Sequence, residues 1–176
     1  MLVGPRKQAS LRTFGPPFAT HDGMAIPFRR ILVPIDFTAV STHALDWAME
    51  LAASLGASIT VLHSYAIPVV GFPDGALIPT AQVATGLGEA AQAALEAAVK
   101  GRRGGAVPLE TVLREGEAWE EIVNVADEID ADLIVVGTHG RHGLARALLG
   151  SVAEHVVRTS HRPVLTLSAP APEKKS

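Results

Sequence analysis

The sequence predicts an α/β protein: an open, five-stranded parallel sheet with helices on both faces, Rossmann-like in plan. Three observations predict it. Short apolar runs alternate with segments of helical period along most of the chain, which is the pattern of a parallel sheet. The runs are short and bounded by turn residues, as buried strands are. The chain has 176 residues and is 48% hydrophobic, enough for one core, whereas two full domains would be cramped.

The elements follow in order. Residues 1–23 carry Gly4, Pro5, Gly15, Pro16, Pro17 and Gly23, and no helical or strand period survives so many breakers. They hold Arg6, Lys7 and Arg12 against one acid, Asp22, and lack the apolar stretch of a secretory signal. Met24 stands before the first regular element, so the domain is expected to start there or shortly after. The expected organisation is an extension over 1–27, one domain over 28–169 and a tail over 170–176. Ile31 to Ile35 reads as a buried strand ending in Asp36, with Pro34 an awkward member because it removes a ladder donor. Ala44, Trp47, Ala48, Leu51, Ala52 and Leu55 have helical spacing and point to a core face, with Gly56 as the stop. Residues 58–64 form a second strand.

Tyr65 to Thr85 contains Pro68, Gly71, Pro73, Gly75 and Pro79 and reads as a long irregular loop. Leu87, Ala91, Ala94, Leu95, Ala98 and Val99 mark a second helix, and Leu109 to Arg114 a third strand. Trp119, Ile122, Val123, Ala126 and Ile129 mark a third helix, with Glu117, Glu120 and Glu121 near its positive end. Leu133 to Gly137 is the cleanest strand, followed by a glycine-rich loop, a helix from Ser151 to about Thr159 and a last strand, Val164 to Leu167.

Composition narrows the function. There is no cysteine, which excludes disulfide scaffolds, thiolate metal sites and cysteine catalysis and suits a reducing cytoplasm. Fifteen basic against 18 acidic residues give a net charge of −3, which argues against a general nucleic-acid binder. No segment approaches the ~20 apolar residues of a membrane span.

Open parallel sheets bind ligands beyond the carboxyl ends of their strands. The segments that fall there are Asp36, Ser64, Gly116 and the run from Gly137 onward. That run is Gly137-Thr138-His139-Gly140-Arg141-His142-Gly143, and after six more residues Gly150-Ser151 opens a helix. Glycines let backbone amides approach a ligand closely, and a helix start offers free amides to an anion. Between Leu133 and Pro172 stand Arg141, Arg146, Arg158 and Arg162 against the single acid Glu154, so positive charge is expected around the anion site. Ser151 to Glu154 also fits a capping box, which would satisfy the helix start without a ligand. A Walker loop needs Gly-Lys-Ser/Thr, and Leu149-Gly150-Ser151 has no Lys; a nucleophile elbow would need Gly where Leu149 and Ala153 stand.

The strand ending Val33-Pro34-Ile35-Asp36 and the pattern Gly137-x2-Gly140-x9-Gly150-Ser151 resemble the universal stress proteins, in particular their ATP-binding subgroup. The resemblance covers roughly Phe28 to Ser168 and omits the leader and the loop after Tyr65. It implies an ATP site with Mg2+ or Mn2+. Asp36 would face the adenosine, and Ser64 would line the adenine pocket by its backbone. Gly137, Gly140 and Gly143 would shape the loop, with Thr138, His139, Arg141 and His142 around ribose and phosphates. Gly150, Ser151 and Val152 would hold the phosphates. It also implies a homodimer through the last strand (Val164, Leu165, Thr166, Leu167), a role as a stress-linked sensor or regulator in the cytoplasm, and at most slow ATP hydrolysis. Two alternatives remain at this level: an adenylate-forming or ATP-hydrolysing enzyme using the same loop, and an interaction module without nucleotide.

Single residues have plainer readings. Asp36 could cap the first helix, although its place after a strand favours a ligand. His139 and His142 lack a third nearby ligand for zinc. His43, His155 and His161 are expected on the surface.

Overall fold

A computed structural model describes residues 28–67, 70–72, 75–77, 81–138 and 149–168. Strands β1 (Arg30–Pro34), β2 (Ser58–Tyr65), β5 (Leu109–Glu115), β6 (Leu133–Gly137) and β7 (Val164–Leu167) form one parallel sheet in the order β5-β2-β1-β6-β7. The predicted fold class holds. Apolar side chains of alternating parity supply two cores. Ile31, Val33, Ile59, Val61, Leu133 and Val135 pack against helices α1 (Ala39–Leu55) and α2 (Ala81–Val99). Leu32, Leu62 and Ile134 pack on the other face against α3 (Ala118–Glu128) and α4 (Ser151–Thr159). The central strands β1 and β6 are buried on both faces and carry no polar alternation, whereas β2 and β5 include Thr60, Glu110 and Arg114.

Gly56 ends α1 in the left-handed region, φ 64°, with its N–H donating to the Ala52 carbonyl. Two expectations about the helices need correction. Trp47 is 36% exposed and Leu55 43%, so both leave the core face on which the spacing put them; Ala44, Leu45, Ala48 and Ala52 fill it. A small-residue face lets α1 lie close to the sheet, and the larger side chains then fall on its flank. The stretch after Tyr65 is also not wholly irregular. It contains an antiparallel hairpin, β3 (Val70–Phe72) with β4 (Gly75–Leu77), and α2 begins at Ala81 rather than near Leu87. Gly88 inside α2 has a steric reason: a Cβ there would lie 2.9 Å from the Tyr65 hydroxyl.

The awkward proline explains how the site opens. Ile35 N–H donates to Leu62 O of β2 at 2.8 Å. Amides alternate sides along a strand, so the donor missing at Pro34 faces β6. The β1–β6 register stops at Leu32↔Ile134, whereas β1–β2 continues to Pro34↔Leu62. Proline therefore sits in a central strand only where the ladder on one side has already ended. The two strands part there, at the point in the strand order where the winding reverses.

Candidate functional site at the carboxyl edge of the sheet

Asp36 follows β1 and is half-buried. Its Oδ1 accepts two hydrogen bonds from Thr38, from the amide at 3.1 Å and the hydroxyl at 2.6 Å. Thr38, not Asp36, is the N-cap of α1, accepting the Ser41 amide on its hydroxyl at 3.3 Å. The capping reading of Asp36 is thereby replaced by support of the cap from behind. Burial pushes the Asp36 carboxyl up. The Thr38 hydroxyl, the Ser41 hydroxyl and the backbone amides of Thr38 and Asp36 outweigh it, so the group lies below its ordinary value. Both Thr38 bonds fall on Oδ1. Phe37, between these residues, is a non-glycine residue in the left-handed region at φ 63°. Such strain, of order 1–2 kcal/mol, persists where the surroundings over-determine it, commonly at functional sites.

Gly137 ends β6 against the start of α1. A Cβ there would stand 3.1 Å from Val40 Cγ1 and 3.3 Å from the Val40 carbonyl carbon. The glycine is thus required first by strand–helix packing. Thr138 is buried, its amide donating to Leu167 O at 2.7 Å. Its carbonyl accepts the Gly150 amide at 2.5 Å, so the chain leaves and re-enters the site at the same place. Positions 139–148, with His139, Gly140, Arg141, His142, Gly143 and Arg146, lie outside the described residues, as do the extension before Phe28 and the tail after Ser168.

Gly150 is the N-cap of α4, with its carbonyl taken by the Glu154 amide at 2.8 Å and no side-chain cap. The capping box is not made: Glu154 pairs instead with Arg158, one turn on, at 2.9 Å. Neither a serine hydroxyl nor a glutamate thus competes for the first-turn amides, and Ser151 is exposed there while Val152 packs partly into the second core. Ser64 is the penultimate residue of β2, half-buried. Asp36 and Gly137 both meet the start of α1, at Ser41 and Val40, and Thr138 ties Gly137 to Gly150 and Ser151 across the carboxyl ends of β1 and β6, with Ser64 one strand away.

The expected cluster of positive charge is not formed by two of its four arginines. Arg158 is engaged by Glu154, and Arg162 lies before β7 at the opposite end of the sheet, on Asp127 at 3.0 Å and Asp130 at 3.5 Å. Chain proximity to the glycine loop misled because a strand and a helix carry residues 10–20 Å away from it. One residue missed by the sequence reading enters here. His63 is 9% exposed, with Nδ1 2.8 Å from Ile35 O and its ring centroid 4.3 Å from that of Phe37. A lone histidine directly after the apolar pair Val61-Leu62, in register with the inward-facing Ile59 and Val61, was the available signal. His155 and His161 are exposed, as expected.

Comparison with known proteins agrees with this arrangement. The universal stress protein MJ0531 of Methanocaldococcus jannaschii is 36% identical over 148 residues, covering 83% of this chain and 85% of its own. YxiE of Bacillus subtilis is 36% identical over 149 residues, 78% of this chain and 97% of its own. Among solved structures, the universal stress protein UspA from Lactobacillus plantarum superposes with a TM-score of 0.68 at 25% identity, over 80% of this chain and 97% of its own. A universal stress protein in complex with cAMP matches at a TM-score of 0.53 and 29% identity, over 82% of this chain and 99% of its own. One from Archaeoglobus fulgidus in complex with dAMP matches at 0.55 and 26%, over 80% and 98%. The universal stress protein family profile itself spans residues 27–168, the same stretch over which the sheet, its two helical layers and the carboxyl-edge site are built, and the chain belongs to that family.

Proposed function

We propose that the chain binds ATP, with Mg2+ or Mn2+, in the crevice between β1 and β6, and acts as a homodimeric, nucleotide-dependent regulator of a stress response in the cytoplasm. The observation that carries the reading is the start of α4. Among the described residues no side chain caps its first-turn amides, and Gly150 ties it directly to the end of β6. An uncapped helix start at the carboxyl edge of a parallel sheet is where phosphate is best received. The cAMP and dAMP complexes of two structural relatives favour an adenine nucleotide as the ligand.

In this reading Asp36 meets the adenosine through Oδ2, and the Ser64 backbone lines the base. Thr138 and the residues at 139–143 surround ribose and phosphates, and the amides and hydroxyl of Gly150, Ser151 and Val152 hold the phosphate end. Among the described residues no group of three His, Asp or Glu side chains could hold a metal alone. That fits a magnesium-like ion carried chiefly by the triphosphate and water. The ion would neutralise phosphate charge. The described residues offer one carboxylate at the site, Asp36, and it is engaged by Thr38. In this reading hydrolysis is slow at most, since a general base must be within reach of the attacking water and the loop offers only His139 and His142, which lie outside the described residues.

Dimerisation rests on β7. It pairs with β6 and with no second strand among the described residues, and its four residues are all partly exposed. An apolar edge strand must be covered or paired, and a second copy of itself does so with matching register. The carbonyls of Pro163 and Leu167 face β6, so the outward amides of β7 are those of Val164 and Thr166. Thr166→Pro is expected to give monomer by light scattering, and a dimer of unchanged mass would move the interface elsewhere. No helix among the described residues is long and apolar enough to cross a membrane.

The test of the nucleotide site is Ser151→Pro. Proline is tolerated at the first helical position, and Gly150 at φ −58°, ψ 149° already has the conformation that a following proline demands. The substitution deletes one amide donor without disturbing the helix. Calorimetric titration with ATP is expected to show affinity about tenfold weaker or more. Equal affinity in both proteins would exclude the α4 start as the phosphate site.

A further inference from the structure

We propose that His63 is a positioning residue: from β2 it grips the backbone on both sides of Asp36 and so presents the Asp36 carboxylate to the crevice. Its effect on ligand affinity rests on the nucleotide reading above; its effect on the turn does not.

Packing alone does not call for histidine here. His63 has the parity of Ile59 and Val61, whose side chains fill the first core, and an aliphatic residue would serve that core equally well. A buried imidazole needs hydrogen-bond partners. The partner is the Ile35 carbonyl, 2.8 Å from Nδ1. A carbonyl can only accept, so Nδ1 carries the hydrogen and donates. Ile35 lies one residue beyond the last β1–β2 register pair, Pro34↔Leu62. The β2 backbone already takes its amide on Leu62 O, and the imidazole adds a hold on its carbonyl.

The second contact falls on the other side of Asp36. The Phe37 ring stands 4.3 Å from the imidazole at an interplanar angle of 48°. Phe37 is also the residue in the left-handed conformation, φ 63°. Left to itself a phenylalanine would leave that region, at a gain of about 1–2 kcal/mol. The left-handed turn is what brings Thr38 back to face Asp36, so that its amide and hydroxyl both reach Oδ1. Residue 35 held by hydrogen bond and residue 37 held by ring contact leave the residue between them one orientation. Asp36 is therefore aimed from a neighbouring strand, at no contact between His63 and the ligand.

Three variants separate the two grips. His63→Asn keeps a donor near the Nδ1 position and loses the ring; His63→Phe keeps a ring and loses the donor; His63→Leu loses both. The first readout is hydrogen exchange of the Thr38 amide, the donor to Asp36 Oδ1, set against the Val135 amide deep in β6 as a monitor of global opening. His63→Leu is expected to speed Thr38 exchange by about tenfold or more beyond any change at Val135, and His63→Phe and His63→Asn, which each keep one grip, by about threefold. Thr38 exchange that follows Val135 in every variant would show a merely structural residue and overturn the proposal. If His63→Leu does not fold, the two single-grip variants decide by the same comparison.

The second readout is ATP affinity by calorimetry, expected to weaken about tenfold in His63→Leu and less than about threefold in His63→Asn. Faster Thr38 exchange with unchanged affinity would refute a role for the turn in binding. A wild-type protein that does not bind ATP would refute the nucleotide reading instead, and the exchange results would still decide whether His63 holds the turn.

Discussion

The two edges of the sheet solve opposite problems. At the amino edge, charge meets charge. Asp132 accepts the amides of Arg29 and Arg30 on Oδ2 at 2.8 and 2.9 Å, Arg30 reaches Asp130 at 3.6 Å, and Arg162 spans Asp127 and Asp130. The Asp127 carboxylate beside Arg162 raises the guanidinium above its ordinary value, with burial opposing it. At the carboxyl edge the described contacts are few and mostly through backbone. They include a left-handed Phe37, a glycine pressed on α1 and a helix start without a side-chain cap. Among the described residues the amino edge is held by paired side-chain charges, whereas the start of α4 at the carboxyl edge takes no side-chain cap from its N-cap residue. Paired charge serves the fold, and an uncapped helix start is suited to an anion.

Four substitutions break or sharpen this contrast. The largest effect is expected from Gly137→Val. Its branched side chain must enter space where even a Cβ lies 3.1 Å from Val40 Cγ1. Urea unfolding should show a loss of about 3 kcal/mol or more; a loss under about 1 kcal/mol would mean that α1 can shift freely at its start. Next comes Asp132→Ala at the amino edge, which removes the acceptor of two amides. A loss of about 1–2 kcal/mol is expected, with ATP affinity unchanged in calorimetry; weakened affinity would show that the edges are coupled. Ser151→Pro should alter stability by no more than about 0.5 kcal/mol while weakening ATP, the inverse of the Asp132→Ala pattern.

The smallest effect concerns Asp36. Its folded carboxyl lies below the ordinary 3.8, so its ionised form stabilises the fold. That contribution is complete above the unfolded value and is lost as the pH falls through the folded one. Wild-type protein and Asp36→Asn should therefore differ in thermal midpoint at pH 7 and converge in strong acid. A constant difference at every pH would mean that the carboxylate charge contributes nothing.

Much of the fold was legible because burial on both faces writes itself as short runs of Ile, Leu and Val, and because Gly56 and the breakers around it mark where elements stop. The hairpin at 70–77 was hidden, since Pro68, Pro73 and Pro79 look the same in a loop as beside a short antiparallel pair. Trp47 was misjudged because helical spacing names a stripe without saying which part of it the sheet covers. In the site, Asp36, Gly137 and Gly150-Ser151 could be read from position after a strand and from spacing. Thr38 as the true cap, Glu154 turning to Arg158, and Arg162 at the far edge could not, because each depends on which partner is nearer in space.

The sequence by itself determined the five strands of the main sheet and their succession along the chain, the carboxyl edge as the place to look, and the family. These are consequences of local pattern: periodicity, breakers and spacing are properties of neighbours along the chain. Only the tertiary structure decided how the site is held. Pro34 is tolerated because β6 has already parted from β1, Gly137 is needed because Val40 stands against it, and His63 reaches Asp36's turn from another strand. Each of these joins residues well apart along the chain, from 28 positions (Ile35 and His63) to 102 (Leu32 and Ile134). The hydrogen bonds and contacts that fix them are short-ranged in space and carry no signature along the chain.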